Sequence, residues 1–165
     1  MGLMWQRSRP GLSLFVLLAL SCFLEGTNAG SCPDDWLAYQ NHCYGLFYDK
    51  LTWHEAEEDC KNYGTNGHLA SIHSWVEAEV ISDYIITNHK HINYVWIGLY
   101  DTYRVRIFQW TDGSSLTFKA WAQFEPTFFT LSKYCVHLID FTSYKEWAAV
   151  ACDEKASYLC KFSSF

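Results

Sequence analysis

Seven cysteines in 165 residues constrain this chain more than any other feature. An odd count leaves one thiol without an intramolecular partner, and the N-terminus indicates which. Met1 to Pro10 carries Arg7 and Arg9 and no acid, and residues 11–24 (GLSLFVLLALSCFL) form an uncharged apolar run. Glu25 to Ala29 closes it with a polar end, and Thr27 and Ala29 are the small residues a cleavage site needs. That is the three-part pattern of a secretory signal peptide. An uncleaved anchor would require about 20 apolar residues, and Cys32 follows with no stalk. We therefore expect a signal peptide at 1–29, cleavage after Ala29, one domain at 30–165, no membrane span and a secreted, extracellular product.

Cleavage removes Cys22 and leaves Cys32, Cys43, Cys60, Cys135, Cys152 and Cys160. An even set in an oxidising compartment reads as three disulfides, although six cysteines allow about 15 connectivities. Zinc is disfavoured because no Cys-x-x-Cys pair is present. A thiol nucleophile is disfavoured once every cysteine has a partner. Losing Arg7, Arg9 and Glu25 leaves 10 basic and 17 acidic residues, a net charge of −7. With Arg104 and Arg106 as the remaining arginines, no basic face for nucleic acid is expected. Half the residues are apolar, enough for a packed core.

Trp36 to Tyr39 and Cys43 to Tyr48 read as short strands around a turn at Gln40-Asn41-His42. Thr52 with Glu55 three residues on forms a capping box. Trp53, Ala56 and Cys60 then mark the buried face of a helix that Gly64 stops. Ser74 and Glu77 repeat the box for a second helix, with Ala78, Ile81, Tyr84 and Ile85 inward. Tyr94 to Tyr100 is an apolar run rich in β-formers. Phe108 to Trp110 is a short strand ended by Asp112-Gly113. Residues 111–134 show no period and read as a long loop of the kind that often carries function. Cys135 to Ile139, Glu146 to Val150 and Ser157 to Phe162 close the domain as strands. The layout is α+β, with two helices, short antiparallel sheets and a long irregular loop.

Trp96-Ile-Gly-Leu99, His68-Leu-Ala-Ser-Ile72 and Trp110-Thr-Asp-Gly-Ser114 occur in that order between and after the helices. Together with the six cysteines they resemble the long form of the C-type lectin-like domain, from Cys32 to Cys160. The small secreted single-domain members are most alike: the regenerating-islet (lithostathine), reptile venom lectin and avian eggshell groups. The resemblance implies pairing Cys32 with Cys43, Cys60 with Cys160, and Cys135 with Cys152. In the chain-entropy model the longest of these loops is worth about 4–5 kcal/mol and the Cys135–Cys152 loop about 3.

The resemblance also implies calcium-dependent sugar binding, through a Glu-Pro-Asn or Gln-Pro-Asp tripeptide, a later glutamate and a Trp-Asn-Asp tripeptide. This chain departs from that pattern. Glu125-Pro126 is followed by Thr127, Lys133 stands where the later glutamate belongs, and Trp147 is followed by Ala148 and Ala149. At a second calcium site of the family, Phe128 and Tyr134 replace acids. Calcium needs six to eight hard oxygens, which one glutamate beside a lysine does not supply. No cofactor is expected.

Phe124, Pro126, Phe128, Phe129 and Leu131 instead make the long loop apolar. They either fill the space beneath it or expose aromatic anchors for a partner. Glu125, Thr127, Phe128, Phe129, Lys133 and Trp147 are therefore the candidate ligand-binding residues. His89-Lys-His91 reads as a solvated connector rather than a metal site. The acids of the helices (Glu55, Glu57, Glu58, Asp59, Glu77, Glu79 and Asp83) read as outward faces, or as a surface for mineral or matrix. No nucleophile–base set is visible, so no enzyme is expected. The function expected is non-catalytic, calcium-independent recognition of a glycan or extracellular protein. The alternatives are an acidic mineral- or matrix-associated protein and a calcium-dependent lectin. Without a spare cysteine between Cys60 and Cys135, a monomer or non-covalent oligomer is expected.

Overall fold

A computed structural model of the chain describes residues 32–88, 92–127 and 132–164. The leader, His89-Lys-His91, and Phe128, Phe129 and Leu131 lie outside the described residues. The element order is β1 (Leu37–Tyr39), β2 (His42–Leu51), α1 (Trp53–Cys60), β3 (Thr65–Leu69), α2 (Trp75–Asn88), β4 (Tyr94–Tyr100) and β5 (Gln109–Trp110). After the long loop come β6 (Cys135–Ile139), a 3-10 turn (Asp140–Thr142), β7 (Trp147–Val150) and β8 (Ala156–Ser163).

The strands form one sheet in the order β1-β2-β8-β4-β6-β7, with β3 also paired to β8 and β5 to β4. It is a mixed sheet rather than the purely antiparallel sheets expected, because β8 runs parallel to β4 through Val95↔Ser157 and Trp96↔Tyr158. The reason is topological. The last strand inserts between β2 and β4, antiparallel to β2, and the direction of β4 then makes that contact parallel. Thus the two ends of the domain meet on β8.

The helices start where the sequence says they should. Thr52 Oγ1 accepts from the Glu55 amide (3.4 Å), and Glu55 accepts in return from the Thr52 amide (2.9 Å). Trp53, Ala56 and Cys60 are buried, as are Ala78, Ile81, Tyr84 and Ile85 on α2. Gly64 has φ of 63°, but α1 already ends at Cys60 with Lys61 as its cap. Strand β3, which follows, has no apolar alternation in TNGHL. Pairing with β8 makes it a strand, so propensity alone gave no signal.

All six cysteines are paired, Cys32–Cys43, Cys60–Cys160 and Cys135–Cys152. The second spans 100 residues and ties α1 to β8. Two apolar clusters fill the interior. One lies between α2 and the sheet and includes Ile81, Ile85, Val95, Ile97 and Trp147. The other surrounds Trp53, Trp96, Tyr158 and the Cys60–Cys160 bond. Gly98 sits at a close approach between strands: a Cβ there would fall 2.4 Å from the Leu69 carbonyl oxygen. No helix among the described residues is long and apolar enough to cross a membrane.

Candidate functional site

The long loop has almost no regular structure, yet it is sutured to the sheet. Trp147 donates its amide to Ala120 O (2.8 Å), and Ala122 donates back to Trp147 O (3.0 Å). The Trp147 ring is completely buried and packs edge-on against Trp110, Phe118 and Trp121 at 5.5–5.7 Å. Four large rings replace the missing secondary structure as the reason this loop has a shape. Trp147 therefore supports the site from below and offers no surface to a ligand.

Above it, Glu125 follows an exposed Phe124 and precedes Pro126 across a cis peptide bond. One carboxylate oxygen, Oε2, accepts from the amides of Thr127 and Ala149, both at 3.3 Å. The second amide belongs to β7, so Glu125 is tied to both sides of the site. Thr127 contributes its backbone and is partly buried. Lys133, partly buried just before β6, lines the same open groove, of about 400 Å³. Glu125 and Lys133 are thus brought together, while Phe128 and Phe129 lie outside the described residues.

Four further residues of the groove escaped sequence reasoning: Tyr94, His137, Phe141 and Glu154. Phe141 projects from the 3-10 turn and is 81% exposed, and Tyr94 is partly exposed at the start of β4. His137 forms part of the lining from β6, its ring 4.5 Å from that of Tyr94. Burial pushes its pKa down to about 4. Its Nδ1 donates to the Leu138 carbonyl (3.1 Å), so the ring is neutral at physiological pH. Tyr94 could have been suspected as the polar-side residue of an alternating strand. An aromatic exposed on a turn carries no periodic signal at all.

The donor chemistry of this groove does not fit a calcium ion. Ala148 and Ala149 supply no side-chain oxygen, and one oxygen of Glu125 already serves two amides. Lys133 adds a positive charge to the lining of the same groove, which opposes a cation there. Among the described residues, no group of three or more His, Cys, Asp or Glu is placed to hold a metal.

A second polar constellation lies under α2. Lys161 is buried and donates to Glu77 Oε1 (3.0 Å), Ser71 O (3.0 Å) and Ser71 Oγ (3.3 Å). Glu77 also accepts from the Tyr44 hydroxyl and from the His73 amide (2.7 Å). These bonds outweigh desolvation and hold its carboxyl below the usual range. The acids of the helices are therefore not all outward: Glu57 and Glu77 are buried, the first because it accepts from His68 Nδ1 and the Leu69 amide. Ser71 Oγ donates to Asp112 Oδ2 (2.5 Å) and lies 3.0 Å from His73 Nε2. The trio superficially suggests a hydrolase. Ser71, however, is 1% exposed, and the acid binds the serine instead of orienting the histidine. It is a polar core.

The fold and the groove define a disulfide-stapled domain with the build of a recognition module. A family model described as the Lectin C-type domain matches residues 49–162. A C-type lectin galactose-binding isoform of Pseudechis australis is 38% identical over 145 residues, 88% of this chain and 92% of that protein. Human lithostathine superposes with a TM-score of 0.77 at 33% identity, covering 81% of this chain and 91% of its own. A calcium-independent type II antifreeze protein does so with a TM-score of 0.69 at 28% identity, covering 81% and 95%. The chain belongs to the C-type lectin domain family, whose members are non-catalytic binding proteins.

Proposed function

We propose that this is a secreted lectin-like module that binds a glycan without calcium, in the groove between Glu125 and Lys133. The observation that carries the proposal is that a carboxylate and an ammonium line one groove together with Ala148 and Ala149. A fixed ammonium can do part of what a divalent ion does for a sugar. It donates to vicinal hydroxyl oxygens, and the free oxygen of Glu125 accepts from a hydroxyl hydrogen. Tyr94 and Phe141 offer apolar ring faces to the C–H face of the sugar. Thr127 holds Glu125 in place through its amide, and Trp147 holds the loop.

The relatives support this reading from two sides. The name of the Pseudechis australis protein describes galactose binding, and the antifreeze protein of the same fold is described as calcium-independent. A mineral- or matrix-binding role is less well supported, because two of the acids it would use are buried. Secretion rests on the leader pattern, with three disulfides consistent with an oxidising compartment. Expression in secretory cells should yield a product whose N-terminal sequence starts at Gly30.

A glycan array run with and without chelator tests the function. Binding that survives chelator and falls about tenfold or more in Lys133→Ala and Glu125→Gln is the expected result. Binding that requires calcium would overturn it. So would an empty array combined with capture of a protein ligand that Phe128→Ser/Phe129→Ser abolishes.

A further inference from the structure

A second cleft among the described residues lies apart from the groove at Glu125. It holds about 440 Å³, within the range of small-molecule sites, and lies between the β4–β5 loop and the Cys135–Cys152 bond. It shares no lining residue with the Glu125 groove. Tyr100, Tyr134 and Arg104 form its binding surface, with Thr102, Ser132 and His54 adding polar groups.

This surface is held rigid from behind. Asp101 is buried, and its two carboxylate oxygens accept from the amides of Val105 (3.3 Å) and Arg106 (2.6 Å). Those bonds fix a loop in which Arg104 and Arg106 both take left-handed backbone angles, φ of 58° and 66°. Residues with a Cβ adopt this region at a cost, so the loop is set by the fold and not by its own preference. The Asp101 amide donates to Tyr134 O (2.8 Å). Tyr100 stacks on the buried Trp53 at 4.8 Å. The Arg104 guanidinium lies 5.1 Å from the centre of the Tyr134 ring. A guanidinium carried on a ring keeps in-plane N–H donors for an incoming acceptor. Among the described residues Arg104 has no ion-pair partner.

The placement of charge is specific. In a domain expected to carry −7, both arginines are in this one loop. Asp101 is spent on backbone amides, leaving Asp153 as the opposing charge among the lining residues. One cation, one exposed acid and two tyrosines thus line the same cleft. Such a cleft favours a single anion on an otherwise uncharged, ring-shaped body and disfavours a densely charged polyanion.

We propose that this cleft is a second carbohydrate site, taking a sugar unit that bears one carboxylate or sulfate. Arg104 is its counter-ion, and Tyr134 and Tyr100 provide the apolar floor. The proposal does not rest on the Glu125 groove. Calorimetry on the disulfide-intact protein with three singly substituted sugars tests it: methyl galacturonoside, its carboxyl-reduced neutral analogue, and a methyl galactoside bearing one sulfate. At least one anionic probe should bind, and the neutral one should bind about tenfold more weakly or not at all. Binding to only one anionic probe supports the proposal and identifies the group. Arg104→Gln should cost about tenfold, Arg104→Lys less, and Tyr134→Leu an intermediate amount. Glu125→Gln and Lys133→Ala should leave this affinity unchanged. Failure of both anionic probes, equal binding of the neutral one, indifference to Arg104→Gln, or an equal loss in Glu125→Gln would each overturn it.

Discussion

Single buried charges set the tolerance of this domain to change. Lys161 and Glu77 form a nearly water-free ion pair, 8% and 5% exposed at the side chain. Removing one member strands the other without a counter-charge, which typically costs 3–5 kcal/mol. Glu77→Ala should therefore lower the unfolding free energy by that amount, read as a lower denaturant midpoint, and Glu77→Ala with Lys161→Met should recover part of it. An unchanged midpoint in the single variant would show that water reaches the pair. Gly98→Ala makes a different kind of error. Its Cβ would collide with a backbone carbonyl, at 2.4 Å, which cannot swing aside as a side-chain end can. A loss of at least 2 kcal/mol, roughly the scale of an overpacked core, is expected in chemical denaturation.

Among the elements, the long loop and the strands it leans on depend on one another. The described residues of that loop, 111–127 and 132–134, have few ladder bonds and are packed on Trp147, Trp110, Phe118 and Trp121. Trp147→Ala would empty the centre of that cluster at a cost of about 3–5 kcal/mol. It should also abolish glycan binding although the indole never meets the sugar; circular dichroism in the near ultraviolet would report the lost packing. The disulfides act on the unfolded chain. Cys60–Cys160 closes 100 residues and should account for about 4–5 kcal/mol, against about 3 for Cys135–Cys152. Replacing each pair by alanine and measuring thermal midpoints should reproduce that order.

At the scale of the molecule, pH acts through histidines that the fold keeps neutral. His137 titrates at about 4 because it is buried. His73 is lowered as well, by burial first and then by the Lys161 ammonium. In the unfolded chain both take up protons near pH 6.5. The unfolded state then binds more protons than the native one, so stability is full above about 6.5 and falls as the pH drops. His137 alone should lose about 1.4 kcal/mol per pH unit, roughly 3 kcal/mol by the time its native pKa is reached. Below the ordinary carboxylate range, Glu77 and Asp112 add to the loss, since both are held low in the fold. Unfolding curves from pH 7 to 4.5 should show a smaller slope in His137→Gln than in the parent. Equal slopes would mean that His137 is protonated in the folded state.

Much of this molecule is legible residue by residue. The Thr52–Glu55 capping box, the apolar faces of both helices and the strand Tyr94 to Tyr100 are local patterns, and local patterns survive in a sequence because near neighbours create them; Glu77 leaves the expected Ser74 box half-formed, bonding the His73 amide instead. The six paired cysteines are legible for a related reason: they form an even set once the leader is set apart. The departures from a calcium site are legible too, because an alanine or a lysine has the wrong chemistry wherever the chain places it. What only the tertiary structure decided are properties of juxtaposition. Glu57 and Glu77 look like solvent-facing acids on a helix until β3, β8 and Tyr44 arrive to bond them. Phe141 looks like any core aromatic until a turn leaves it in water. The two candidate sites gather side chains separated by up to about 100 residues of chain, and neither burial nor aim is encoded by spacing over that distance. The seventh cysteine set an expectation of where the domain begins; only the tertiary structure placed β8 between β2 and β4, because strand neighbours far apart in the chain leave no local pattern.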